Sequence, residues 1–173
     1  PDPLNGAFAP WAKPGVDLCA QALRPEIDAT NAAIYDSLNN GVDKAGFATT
    51  QGAYDEAVAD VFETLDRLEA RRGDGRRFVP GEMLTETGLR LFVTLVRCDP
   101  AYHGLFKCNI RRLADYPRLS AYTARIRALP GVAATVSVDR IKAGYCPIRA
   151  LNPSGIVPAG PGEARPVATA PAA

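Results

Sequence analysis

Helical periodicity is the feature of this sequence that most limits the folds open to it. Between residues 54 and 68, apolar residues recur every three or four positions and charged residues stand between them. The apolar positions are Tyr54, Val58, Val61, Phe62, Leu65 and Leu68. This spacing matches the period of an amphipathic α-helix and predicts a helix of about twenty residues that ends near Gly73 to Gly75.

An earlier segment shows the same period. Its apolar residues are Ile27, Ile34, Leu38 and Val42, which share one helical face. Pro25 stands just before this face, where proline suits a first helical turn. The poor helix formers at 39–41 predict a kink or a break.

A further helix is predicted after Thr85, which is a natural N-cap. Leu84 and Leu89 have the spacing of the hydrophobic pair that brackets such a cap. Gly88 occupies the position where a capping box has an acidic or amide side chain, so the box is incomplete. Because this helix is apolar nearly all round, we expect it to lie at the centre of the bundle.

The rest of the chain completes an all-α prediction. A helix is expected at the apolar positions Leu119, Tyr122, Ile126 and Leu129 and should close at Pro130 and Gly131. Residues 132–142 give mixed signals, and we predict helix there because no partner strand is evident. We divide the chain into an interdomain segment (1–24), a helical domain (25–150) and an irregular tail (151–173). The last dozen residues, rich in proline, glycine and alanine, are expected to be disordered.

Composition excludes several classes of function. Twenty basic residues stand against 19 acidic ones, a net charge of +1, whereas binding to nucleic acid needs a surplus of cations on one face. No apolar run is long enough to span a membrane. The four cysteines form no close pair, so no metal site is predicted, and we expect free thiols in a reducing cytoplasm.

Nucleophilic chemistry has few candidates in this chain. His103 has no carboxylate or nucleophile at a spacing that marks it as a general base, so we interpret it as structural or solvated. Cys98 is expected to be a small core residue. Cys108 and Cys146 are better candidates for a reactive thiol, which would need a lowered pKa.

Several segments, taken in order, carry a family resemblance. The most specific are NNGV-x-KAGFA at 39–48 and FKCN at 106–109, with RLF at 90–92, TLVR at 94–97 and DYP at 115–117. Together they resemble the C-terminal half of glutathionyl-hydroquinone reductases, the Xi class of glutathione transferases. The resemblance runs from about Leu4 to Pro161 and implies the helical bundle of a glutathione transferase C-terminal domain.

The resemblance also implies a function. Family members use a cysteine of a thioredoxin-like N-terminal domain to remove glutathione from a glutathionyl-hydroquinone. The helical domain would form the quinone pocket and the contact of a homodimer, and glutathione would be a co-substrate bound mainly by the N-terminal domain. This chain does not contain that domain, so we predict no catalytic residue here and an inactive isolated chain.

Two positions bear on the pocket. Tyr145 matches a family tyrosine and is predicted to donate a hydrogen bond to the ring oxygen, although it could equally serve only to pack the last helix. Asp43 stands where the family has a tyrosine of the hydroquinone site, and it would add an anion there. These departures, with Gly88 in place of the usual acid, leave open an alternative: a stand-alone helical module that only binds partners or oligomerises.

Overall fold

Six α-helices form the described part of the chain. The computed structural model describes residues 8–11, 17–71 and 77–161. The helices are α1 (Arg24–Ile34), α2 (Gly41–Gly46), α3 (Gln51–Arg71), α4 (Glu86–Arg97), α5 (Pro117–Arg127) and α6 (Val138–Tyr145). Within those ranges the β-pairing is confined to one isolated bridge between Phe78 and Gly81. The all-α prediction is confirmed.

Helices α1 and α2 are two halves of one interrupted helix. A π-helical turn, Tyr35–Asn39, separates them, which confirms the predicted break. The amide of Asn39 lies across from α4 and donates to the Thr94 hydroxyl over 2.7 Å. Asn39 therefore ties the turn to α4 in addition to interrupting the helix.

Helix α3 has the length and the buried face that its periodicity predicts. It runs for 21 residues, and Val61, Phe62, Leu65 and Leu68 are all buried. It packs against α2 on one side and α5 on another. Its predicted end at Gly73 to Gly75 lies outside the described residues.

Helix α4 packs against α1, α5 and both π-helical turns, as a helix near the centre of the bundle should, but one side of it is left uncovered by the described residues. Thr85 caps it as predicted, its hydroxyl accepting from the Gly88 backbone N–H over 3.4 Å. Leu91 and Leu95 are fully buried against α1 and α5. Val93, however, is 46% exposed, because that side of α4 borders open grooves.

The C-terminal third differs in detail from its prediction. Instead of one helix over 132–142, a 3-10 turn (Ala133–Thr135) precedes α6. Ser137 starts α6 as an N-cap, its hydroxyl accepting from the Arg140 N–H. The chain then folds back, and the buried Lys142 ammonium donates to the carbonyls of Pro158 and Ala159 over 3.1 and 3.0 Å. The tail predicted to be disordered lies outside the described residues from 162 onward.

No described helix is both long enough and apolar enough to cross a bilayer.

Candidate functional site

Four aromatic side chains meet at one edge of the bundle, and we name them the rim cluster: Phe47, Tyr102, Phe106 and Tyr145. Phe106 is central, with ring centroids 5.1 Å from Tyr102, 5.5 Å from Tyr145 and 5.9 Å from Phe47. All these pairs are edge-to-face, the geometry that brings the positive edge of one ring to the negative face of another. The four rings together form an aromatic wall.

Three distant parts of the chain supply this wall. Phe47 follows α2, and Tyr145 is the last residue of α6. Tyr102 ends a second π-helical turn (Cys98–Tyr102), which directly continues α4. Gly46 allows the closest approach, because an added Cβ would lie only 2.2 Å from the Phe106 ring.

The hydroxyls of Tyr102 and Tyr145 lie 3.2 Å apart, within hydrogen-bond distance. Tyr102 is buried, whereas Tyr145 is half-buried. Burial, and next the hydrogen bond with Tyr145, raise the pKa of Tyr102 above its ordinary value. Tyr102 therefore keeps its proton at neutral pH, and the pair retains the capacity to donate to a third group.

Asp43 lies on the exposed side of α2, beside the same cluster. Its backbone carbonyl accepts from the Phe47 N–H over 2.9 Å. Partial burial raises the pKa of its carboxyl group. Its charge in turn raises the pKa of Tyr102, which places Asp43 within electrostatic reach of the hydroxyl pair.

Two open grooves meet at Tyr145. The α4/α6 groove, of about 350 Å³, runs between α4 and the segment from Thr135 to Tyr145. The Tyr35 groove, of about 450 Å³, lies between the first π-helical turn and α4. Val93, Arg97 and Tyr145 line both grooves. Such a junction of apolar walls with a few convergent polar groups is typical of a small-molecule site.

The cysteines do not form a reactive centre. All four are free thiols, as expected, and Cys19, Cys108 and Cys146 are buried. Burial, together with the charge of Asp43, raises the pKa of Cys108 to about 12 despite the opposing effect of Lys107. Burial likewise raises the pKa of Cys98. Both thiols are therefore protonated at neutral pH and are poor nucleophiles.

His103 also lies away from any catalytic arrangement. Its Nδ1 is buried and has no hydrogen-bond partner among the described residues. It borders a small enclosed space between α3 and the second π-helical turn. No group there orients the imidazole as a general base would require.

The structure thus brings Tyr145 and Asp43, the two positions singled out in the sequence, to the same aromatic wall. Sequence reasoning missed Tyr102 as the partner of Tyr145, because 43 residues separate them. It also missed Arg97, which lines both grooves. The TLVR segment contributes to the family resemblance, but no local pattern in it indicates that its arginine lines a groove.

Comparison with known proteins agrees with this architecture. The sequence model of the family described as "Glutathione S-transferase, C-terminal domain" matches residues 51–125. The chain is 49% identical over 165 residues to glutathionyl-hydroquinone reductase PcpF of Sphingobium chlorophenolicum, covering 94% of this chain and 52% of that protein.

Solved structures agree as well. The glutathione-bound structure of YqjG from Escherichia coli K-12 is 46% identical and matches with a TM-score of 0.86, over 92% of this chain and 52% of that one. Glutathione S-transferase Xi from Phanerochaete chrysosporium is 42% identical with a TM-score of 0.85, over 91% of this chain and 52% of that one. This chain is a C-terminal domain of the Xi class of glutathione S-transferases. It spans about half the length of the curated relatives it matches.

Proposed function

We propose that this Xi-class domain forms the hydroquinone pocket of a glutathione-dependent reductase that removes glutathione from glutathionyl-hydroquinones. The observation that carries the proposal is the Tyr102–Tyr145 hydroxyl pair, set in an aromatic wall at the junction of two grooves. An aromatic wall suits a quinol ring, and a phenol pair with spare donor capacity suits its oxygens.

The proposed reaction transfers the glutathionyl group from a carbon of the hydroquinone ring to a cysteine of the enzyme. A cysteine thiolate attacks that sulfur, a new S–S bond forms, and the bond from sulfur to the ring carbon breaks with its electron pair going to the ring. The ring carbon then gains a proton, and free hydroquinone leaves. A second glutathione reduces the cysteine–glutathione disulfide, forming glutathione disulfide and regenerating the thiol.

In this scheme the thiolate comes from a thioredoxin-like N-terminal domain, which would also bind most of the glutathione. The described cysteines support this division, since burial raises the pKa of Cys98 and Cys108 and encloses the other two. We therefore expect the 173-residue chain by itself to be inactive. A homodimer in the cytoplasm is part of the same proposal, on the strength of the family resemblance.

Tyr145 is the residue through which the ring would be oriented. Its hydroxyl, paired with Tyr102, would donate to a ring oxygen and hold the sulfur-bearing carbon toward the thiolate. Positioning of this kind acts on the rate because the reacting atoms must already be aligned.

A fusion enzyme tests the proposal. This chain is joined to the part of the Sphingobium chlorophenolicum relative that it does not match, and hydroquinone release from a glutathionyl-hydroquinone is measured. We expect turnover, and a loss of roughly tenfold or more in kcat/KM for Tyr145→Phe. Tyr54→Phe is the matched control, since its hydroxyl bonds the Lys107 carbonyl and lines neither groove. An inactive fusion with an intact thiol would contradict the proposal.

Asp43→Tyr in the same fusion separates this function from that of a non-catalytic binding module. The substitution restores the residue type that the family has at this position, beside Tyr102 and Phe47. A pocket role predicts a changed kcat/KM for hydroquinone substrates. A binding module predicts a change in stability alone.

A further inference from the structure

We propose that the α4/α6 groove is a subsite for a hydroquinone ring that carries a carboxylate, and that Arg97 and Arg140 bind this carboxylate. The inference rests on the proposed function and names the class of substrate that the site would select: acidic aromatic rings over neutral ones.

The walls of the groove suit a flat apolar ring. One wall is formed by Phe92 and Val96 of α4, and the opposite wall by Val136 and Ile141. Gly144 adds no side chain to the floor, and an added Cβ there would meet nothing within 4 Å. The volume of about 350 Å³ lies at the small end of the range for ligand pockets.

The charges lining the groove are all positive. Arg97 enters it from α4 and Arg140 from α6, and no Asp or Glu side chain is among its lining residues. Neither guanidinium has a carboxylate partner in the described ranges of the chain. Two guanidiniums without carboxylate partners that line one largely apolar groove favour the binding of an anion there.

Arg97 is held in place without using up its donors. One terminal nitrogen donates to the Val93 carbonyl, one turn back along α4. The remaining N–H groups of the guanidinium are available for a planar, bidentate contact with a carboxylate. The cation also acts on the rim cluster, where it opposes the rise in the pKa of Tyr102.

Other charged side chains nearby do not cancel the positive charge of Arg97 and Arg140 in the groove. Arg90 borders the Tyr35 groove, but Glu86 lies 3.8 Å from it and offsets its charge. Asp43 acts on Tyr102 from the side of α2 and lines neither groove. The surplus of positive charge is therefore concentrated at Arg97 and Arg140.

Glutathione also carries carboxylates, so the chemistry alone admits a second source for the anion. The apolar walls favour the ring, because a peptide backbone placed there would lose its hydrogen bonds to water without gaining partners. The test below includes glutathione as a separate ligand to distinguish the two sources.

The test compares two ligands of the same shape and different charge on the 173-residue chain. The acid is 2,5-dihydroxybenzoate and the neutral isostere is 2,5-dihydroxybenzamide, each titrated by calorimetry at low ionic strength. We expect the acid to bind roughly tenfold more tightly, the scale of one charge-assisted bidentate contact. Added salt should reduce the preference, because both cations contact solvent.

Three variants identify which arginines cause the preference for the acid over the amide. Arg97→Gln should abolish it and Arg140→Gln should reduce it, whereas Arg67→Gln, which removes the same charge from the exposed face of α3, should leave it unchanged. Arg140 is exposed, so its variant is expected to fold even if replacement of Arg97 proves disruptive.

Several results would contradict the proposal of a carboxylate subsite. Equal affinity for acid and amide, a preference that survives both groove variants, or binding of neither ligand would each do so. So would a dependence on Arg97 and Arg140 that affects glutathione titrations and leaves the acid unaffected. The fusion enzyme keeps the two proposals separable: a fusion that turns over neutral substrates through Tyr145 retains the proposed function even when the acid preference is absent.

Discussion

Two tyrosines of this domain have similar hydrogen bonds and opposite surroundings. Tyr122 of α5 is 1% exposed, and its hydroxyl donates to the Gly88 carbonyl of α4 over 3.2 Å. Tyr145 of α6 is half-buried, and its hydroxyl pairs with that of Tyr102, also at 3.2 Å. The first joins two helices inside the core, whereas the second lies where two grooves meet.

The two hydroxyl groups differ in their remaining capacity to form hydrogen bonds. The Tyr122 hydroxyl is enclosed, and an added Cβ at Gly88 would come within 2.9 Å of it. The Tyr145 hydroxyl is bonded to another hydroxyl, and both groups can act as donor and acceptor. A polar group in the core is satisfied by the fold itself, and one at the rim keeps capacity for a ligand. The following predictions test this distinction.

The largest effect should separate the two faces of α4. Leu91→Ala removes a fully buried side chain and should lower the free energy of unfolding by about 2–5 kcal/mol, measured by urea denaturation. Val93→Ala, two residues along and 46% exposed, should change it by about 0.5 kcal/mol or less. Equal losses would mean that the groove face is packed like the core.

Two glycines should respond with opposite signs. Gly88→Ala places a methyl group against the Tyr122 hydroxyl and 3.1 Å from Leu84, and should destabilise by about 1–3 kcal/mol. Gly144→Ala, in α6 beside the groove, meets open space and should stabilise by up to about 1 kcal/mol. Thermal unfolding of both variants checks the prediction, and a stabilising Gly88→Ala would refute the tight contact.

Removal of the two hydroxyls should lower the stability of the domain by different amounts. Tyr122→Phe leaves the core without one interhelical hydrogen bond and should cost about 1 kcal/mol of unfolding free energy. Tyr145→Phe should cost less than that, since water can reach the position. A larger stability loss at Tyr145 than at Tyr122 would indicate that Tyr145 mainly packs the last helix.

The last prediction concerns Cys108, next to the rim cluster, and its effect on the free energy of unfolding should be seen only at alkaline pH. Folding raises its pKa from 9.0 to about 12, so the folded state favours the protonated thiol. The stabilisation is complete below pH 9 and is lost as the pH rises from 9 toward 12, because the unfolded chain releases its proton first. Unfolding free energy should therefore fall over this window, and more shallowly in Cys108→Ala. Parallel slopes would exclude Cys108 as a source of the decline.

Local signals in the sequence account for much of the fold. The amphipathic face of α3, the proline at the start of α1 and the Thr85 cap each depend on residues within one or two helical turns, so they were predictable. The central packing of α4 was also predictable, but its apolar composition did not show that the side bearing Val93 has no neighbour covering it among the described residues. The prediction over 132–142 missed the Ser137 cap that delays the start of α6.

The site was predictable only in part. The family resemblance pointed to Tyr145 and Asp43, and the structure places Tyr145 within the rim cluster and Asp43 beside it. Tyr102 and Arg97 had no such signal, although both lie within or next to recognisable segments. Their place in the site depends on packing against α6, because Tyr102 pairs with Tyr145 and Arg97 shares a groove with Arg140.

Three properties of this chain could be predicted without its structure: an all-helical fold, the positions of most of its helices and the family to which it belongs. Those properties follow from short-range periodicity, capping residues and ordered motifs. Three other features emerge only from the packed helices: Tyr102 pairs with Tyr145, the Tyr122 hydroxyl encloses Gly88, and Arg97 and Arg140 line one groove. The residues of each pair lie 34 to 43 positions apart in the sequence, so their relative placement is set by how the helices pack.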